Sequence, residues 1–214
     1  MKRILCFGDS NTWGYDPESN SRFGHGVRWP SVLMEKLGAE FHVIEEGLSG
    51  RTTVWDDSVE EFRSGKQYLV PCIESHTPLD LIIIMLGTND LKKRFSLSAY
   101  DIAEGMGFLV NIIKKSCCGR GGKCPEILII SPPSIREKTA YRQMFEGAFE
   151  KSKQLPGEYQ RVAEYYNCNM VDAGDVIVSG EVDGVHLDSG NHLRLGDYLC
   201  RWIDENLPEM DGAG

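Results

Sequence analysis

Short apolar runs, each stopped by glycine or a small polar cluster, set the rhythm of this chain. Residues 4–7 (Ile-Leu-Cys-Phe) run into Gly8-Asp9-Ser10, and residues 41–44 run on to Gly47-Leu48-Ser49-Gly50. Residues 79–86, nearly all apolar, end at Gly87-Thr88-Asn89-Asp90, and residues 127–130 end at Ser131-Pro132-Pro133. A fifth, weaker run spans residues 169–172. Unbroken rather than alternating hydrophobicity is the mark of strands covered on both faces, as in the middle of a parallel sheet.

Between these runs the apolar period lengthens to that of a helix. Trp29, Val32, Leu33 and Leu37 share one face, with Pro30 suited to a first turn and Gly38 to a stop. Leu69, Cys72 and Ile73 predict a short helix. Ile102, Met106, Leu109, Val110 and Ile113 predict a longer one, behind a Ser98–Asp101 capping-box variant. Residues 141–166 read as helical with an interruption at Pro156-Gly157, and Leu195, Leu199 and Ile203 mark a last helix. Residues 15–27 and 56–66 read as polar surface connections, and the tail after Pro208 as frayed. Strands alternating with helices five times imply a mostly parallel α/β sheet sandwiched between helices, with right-handed crossovers. The expectation is a single domain over residues 1–214.

Composition narrows the classes. A formal charge of -9 argues against binding nucleic acid or an anionic membrane through the overall field. The basic groups Lys92-Lys93-Arg94 and Lys114-Lys115 read as solvated. The longest apolar run is too short to span a bilayer, and the one behind Met1-Lys2-Arg3 is too short for a secretory signal. The expected location is the cytoplasm, unless the chain has been trimmed. Seven cysteines, an odd number, fit reduced thiols. Cys117, Cys118 and Cys124 cluster in a Gly-rich loop, but without a CxxC pair or a neighbouring histidine they do not spell zinc.

The chemistry lies at the strand ends. In an open parallel sheet these turns gather at one edge, where ligands bind. Gly8 permits a sharp turn that would present Ser10 there. The other turns bring Gly50, Asn89 and the pair Asp183 with His186. A hydroxyl, a backbone N–H, an amide, an imidazole and a carboxylate are the parts acyl transfer needs. Gly-Asp-Ser alone is a common turn, and the case rests on all four segments together.

Gly8-Asp9-Ser10, Gly47-Leu48-Ser49-Gly50, Gly87-Thr88-Asn89-Asp90 and Asp183-Gly184-Val185-His186 resemble, in order, the four blocks of the SGNH (GDSL) hydrolases. The resemblance covers residues 4–192. It implies a flavodoxin-like three-layer α/β/α sandwich with a central five-stranded parallel sheet. The strings around Ser10, Ser49 and Asp90 are most similar to the arylesterase branch, which includes oligomeric enzymes that also transfer acyl groups to alcohols. On this resemblance Ser10 is the nucleophile, His186 its base, Asp183 the orienter, and Ser10, Gly50 and Asn89 the oxyanion hole.

Asp9 is expected to support its turn. Trp13, Tyr15, Arg51 and Trp55 are candidate pocket residues, and Trp29 either lines the pocket or packs beside it. His192 reads as a solvated residue of the last helix's first turn, not as a metal ligand beside His186 and Asp188. His25, His42 and His76 have no nameable partner. No cofactor or metal is expected. The expected partners are a small-molecule ester and further copies of the chain. The reading is thus a serine esterase for short acyl or aryl esters. Its rivals are a carbohydrate O-deacetylase of the same family, a non-catalytic scaffold and, more weakly, an FMN binder, whose phosphate Asp9 would repel.

Overall fold

A computed structural model describes residues 1–207; the tail after Pro208 lies outside the described residues. In chain order the elements are β1 (Lys2–Gly8), α1 (Ser10–Trp13), β2 (Tyr15–Asp16), β3 (Ser21–Arg22), α2 (Trp29–Leu37), β4 (Phe41–Gly47), α3 (Gly65–His76), β5 (Leu81–Met85), α4 (Ala99–Ser116), β6 (Glu126–Ser131), α5 (Ala148–Ser152), α6 (Leu155–Tyr166), β7 (Asn169–Asp172) and α7 (Ser189–Asn206). Five strands form one parallel sheet in the order β4-β1-β5-β6-β7, with the unbroken apolar run of β5 at its centre.

Because successive strand side chains point to opposite faces, each strand feeds two cores. Leu5, Phe7, Ile82, Ile84, Ile127 and Ile129 pack with α3, α4 and α6 on one side. Ile4, Cys6, Leu81, Ile83, Leu128 and Ile130 pack with α2 and α7 on the other. This division is the three-layer sandwich expected from the sequence. Trp29 is wholly buried in the second core, so it packs and does not line a pocket. Ser98 and Asp101 form the capping box that opens α4.

Two expectations about connections need correction. Residues 141–147 form turns, and Pro156 stands in the first turn of α6 rather than interrupting a helix. Proline has no N–H to lose there, so it starts a helix as readily as it breaks one. Residues 56–66 are not a mere surface excursion either. Thr52 N–H bonds to Arg63 O (2.9 Å), Gly65 N–H bonds to Thr52 O (3.1 Å), and the Asp57 carboxylate is fully buried.

Gly47 ends β4 directly against the backbone of α1. A Cβ there would sit 2.1 Å from Trp13 N and 2.6 Å from Thr12 C. Gly47→Ala should therefore lower the urea unfolding midpoint, by about 1–3 kcal/mol of stability. An unchanged midpoint would mean that α1 shifts freely.

Candidate active site

The ends of β1, β4 and β5 and the loop before α7 meet at the carboxyl edge of the sheet. After Gly8, Asp9 accepts a hydrogen bond from Asn11 N–H (2.9 Å) and caps α1, so Ser10 begins that single turn with its hydroxyl at the edge. Asp9 thus supports its turn, as expected. Asn11 Oδ1 accepts from Leu187 N–H (2.9 Å), which ties the Ser10 turn to the His186 loop. In that loop the Asp183 Oδ1 accepts from the N–H groups of Val185 and His186, both at 2.9 Å. Gly184, at φ +78, makes the fold-back. Thr139 Oγ1 (2.7 Å) and Ala140 N–H (2.9 Å) hold the Asp183 carbonyl from outside.

The outcome is a line of three side chains. His186 Nε2 lies 2.9 Å from Ser10 Oγ, and His186 Nδ1 lies 2.5 Å from Asp183 Oδ2. Burial would raise the Asp183 carboxyl, but the hydrogen bonds and charge of His186, with the N–H of Val185, hold it below its ordinary value. An ionised carboxylate only accepts, so Nδ1 carries the proton it shares with Asp183 and Nε2 faces Ser10 as an acceptor. Asn89 turns its amide into the same edge, donating to Arg51 O (3.1 Å) and, at 3.4 Å, to Asp9 Oδ2. Gly50 adopts φ +83 in the second turn. Ser10, Gly50, Asn89 and His186 all line one cavity of about 210 Å³. A larger groove of about 800 Å³ lies at the opposite edge of the sheet, among Lys2, Arg120 and Asn206, away from these groups.

Of the four pocket candidates, only Tyr15 lines this cavity, its ring 4.5 Å from that of His186. Arg51 is buried under the edge, 4.1 Å over the Phe7 ring, and donates to the carbonyls of Gly8 and Glu46. Trp13 takes the Arg22 guanidinium on its face, and Trp55 faces solvent in part. In their place the cavity has Glu60, Lys92, Tyr141, Met144 and Phe145, none of which the sequence marked. Lys92 is not solvated as read. Its side chain is 4% exposed and pairs with Glu60 at 2.9 Å. Complementary charges thirty-two positions apart were the available signal, and spacing alone does not join them.

His192 also departs from its reading: it is wholly buried and accepts from Trp29 N–H at Nδ1 (3.3 Å). His76, left without a partner by the sequence, pairs with Glu46 (2.9 Å), and with Cys72 these are a trio of potential metal ligands within 4.8 Å.

A profile of the GDSL-like lipase/acylhydrolase family matches residues 6–195. Comparison with curated proteins finds no match. Among solved structures, an aryl esterase from M. smegmatis is 42% identical, with a TM-score of 0.91 over 96% of this chain and 99% of that one. A carbohydrate acetylesterase from Sinorhizobium meliloti is 39% identical, with a TM-score of 0.91 over 96% and 99%. A lipase/acylhydrolase from Enterococcus faecalis, at 21% identity and a TM-score of 0.69 over 96% of each chain, shares the fold. No helix among the described residues is long and apolar enough to cross a membrane.

Burial lowers His192 to about 4, the nearby Asp188 charge opposing it only in part. Between its ordinary 6.5 and about 4 the unfolded chain binds a proton that the folded one refuses. Its contribution to stability is therefore present above pH 6.5 and lost as pH falls through that window. Asp9 and Asp90, raised by burial to about 6, act with the opposite sign, losing stability as pH rises from 3.8 to about 6. Comparing variants isolates the histidine. His192→Asn keeps an acceptor for Trp29 N–H, and its stability relative to wild type should improve by up to about 3 kcal/mol between pH 7 and pH 4. A constant gap in urea midpoints across that range would contradict this.

Proposed function

We propose a reaction from one premise: this chain belongs to the GDSL-like lipase/acylhydrolase family, the SGNH hydrolases, and is a carboxylic ester hydrolase. Small-molecule esters are its substrates. Ser10 is the nucleophile, and the observation that carries this assignment is the unbroken line from Ser10 Oγ through His186 to Asp183. A serine hydroxyl is a weak nucleophile at its own pKa and needs an adjacent base. His186 Nε2 takes the proton as Oγ attacks the ester carbon. The carbonyl oxygen becomes an oxyanion, held by the N–H groups of Ser10 and Gly50 and by the Asn89 amide. Collapse expels the alcohol, which takes the proton from His186, and leaves the acyl group on Ser10. Water then enters by the same route, restoring the hydroxyl and releasing the acid. Asp183 stays ionised throughout, fixing the tautomer and balancing the transient imidazolium.

A cavity of about 210 Å³ supports a short acyl or an aryl group. Its apolar wall of Tyr15, Tyr141, Met144 and Phe145 supports an alcohol competing with water for the acyl-enzyme, which is acyl transfer. A homo-oligomer is supported by Val59 and Phe62, 71% and 81% exposed on the segment that brings Glu60 to the cavity. Seven unpaired cysteines support a reducing, cytoplasmic setting.

Hydrolysis of p-nitrophenyl esters from acetate to octanoate should fall with chain length, ignore chelator and vanish in Ser10→Ala. Asn89→Ala should lose about 10²–10³ in kcat, and Asp183→Asn about 10⁴. Activity surviving in Ser10→Ala would sink the assignment. Adding a primary alcohol should divert product into a new ester, detected by gas chromatography; free acid alone would remove the transfer reading.

A further inference from the structure

The cavity contains a carboxylate that the acyl-enzyme reaction does not use. Glu60 is brought there by a segment pinned from several sides. Asp57 accepts from the N–H groups of Val59 (2.9 Å) and Glu60 (3.2 Å), and binds Arg94 through Nε (3.0 Å) and Nη2. Glu60 Oε1 is itself held, by Lys92 Nζ at 2.9 Å and Arg94 Nη2 at 2.7 Å. Its other oxygen is differently placed. A Cβ built on Gly50 would come within 2.7 Å of Glu60 Oε2, so this oxygen stands over the glycine proposed above as an oxyanion donor. Arg63 Nε lies 3.7 Å from Oε2, too long for a hydrogen bond.

Charge decides what can meet that oxygen. Burial would raise the Glu60 carboxyl, but Lys92 and Arg94 hold it below its ordinary value. It is therefore an acceptor with no proton to give. A substrate carboxylate could not bond to it, because both groups only accept. A substrate ammonium would gain little, because Lys92, Arg94 and Arg63 outnumber Asp57 and Glu60 around it. A neutral O–H donor satisfies the oxygen without adding charge.

We propose that Glu60 is a specificity-determining acceptor for a hydroxyl group carried by the substrate, so that the enzyme selects short esters bearing a free hydroxyl over their unsubstituted counterparts. This rests on the Ser10 acyl-enzyme reading. Both the alcohol and the acyl half pass beside Gly50, and either could bring the hydroxyl.

Two matched pairs separate these sources: glycerol 1-acetate against propyl acetate, and methyl 3-hydroxybutyrate against methyl butyrate. The readout is the ratio of kcat/KM within each pair. In wild type the hydroxylated member should win in at least one pair. A hydrogen bond to a charged group, discounted for partial exposure, predicts that this ratio falls about tenfold in Glu60→Ala. Glu60→Gln, which keeps an acceptor oxygen and the side-chain shape, should fall between. Should Glu60→Ala not fold, a fall in Glu60→Gln carries the same meaning. Ratios near one in both wild-type pairs, or a preference that persists in both variants, would overturn the proposal. So would cleavage of p-nitrophenyl acetate with none of the four esters touched. Activity on p-nitrophenyl acetate that survives Ser10→Ala would instead indict the underlying serine reading.

Discussion

Gly8 stands opposite Gly47 in the β1–β4 pairing and opposite Met85 in the β1–β5 pairing, and this crowded strand end is the constraint on which the site depends. No side chain fits at Gly8, where a Cβ would fall 2.0 Å from Thr12 Oγ1 and 2.8 Å from Met85 O. The backbone can therefore turn at once, and its carbonyl is left free to bind the neighbouring turn. Gly8 O accepts from Leu48 N–H (3.1 Å) and from Arg51 Nη1 (2.8 Å). Backbone contacts of this kind leave little room for relative motion. They hold the Ser10 turn and the Gly50 turn in fixed relation before any substrate arrives, which is what the proposed oxyanion donors require.

The same edge shows how one residue type takes different states. Asp9 and Asp90 are wholly buried. Burial prevails over their hydrogen bonds and raises both to about 6. Asp183 is buried less and bonds an imidazole and two N–H groups, so its charge is favoured. The two histidines of the last loop and helix differ in their surroundings. His186 reaches the cavity between a carboxylate and a hydroxyl, whereas His192, six residues on, is desolvated against Trp29 and Phe23 and kept neutral. Desolvation against available partners decides the three aspartates and His192.

That distinction marks what the sequence could reveal. Apolar runs stopped by glycine or a small polar cluster predicted four of the strands, and a weaker run the fifth, because strand burial on both faces is a local property of composition. Ser10, Asn89, Asp183 and His186 were legible because each sits in a short turn directly after a strand or before a helix. The topology alone brings such turns to one edge. His192 was misread because helical position fixes which way a residue faces but not what covers it. Lys92 was misread for a related reason. A basic cluster is solvated unless distant acids find it, and Asp57 and Glu60 lie in a segment with no periodicity to place it. Pro156 was misread because proline breaks a helix or begins one according to the residues before it.

The cavity wall built by that segment is therefore of another kind from the strand edge opposite. No strand holds residues 53–63; charge and a few backbone bonds do. Burial would raise the Asp57 carboxyl, but the N–H of Val59 and the Arg94 guanidinium hold it below its ordinary value. Asp57 and Lys92 are the buried members, and removing the partner of either leaves an uncompensated charge, which costs several times more than an exposed pair contributes. The four charges of Asp57, Glu60, Lys92 and Arg94 should thus hold or fail together, giving an aperiodic segment the rigidity that the strands have by pairing. Rigidity there matters for selection rather than for bond breaking, since a carboxylate free to swing would follow any substrate. Fixed over Gly50, it confronts every ester that enters with an acceptor that must be satisfied or left bare.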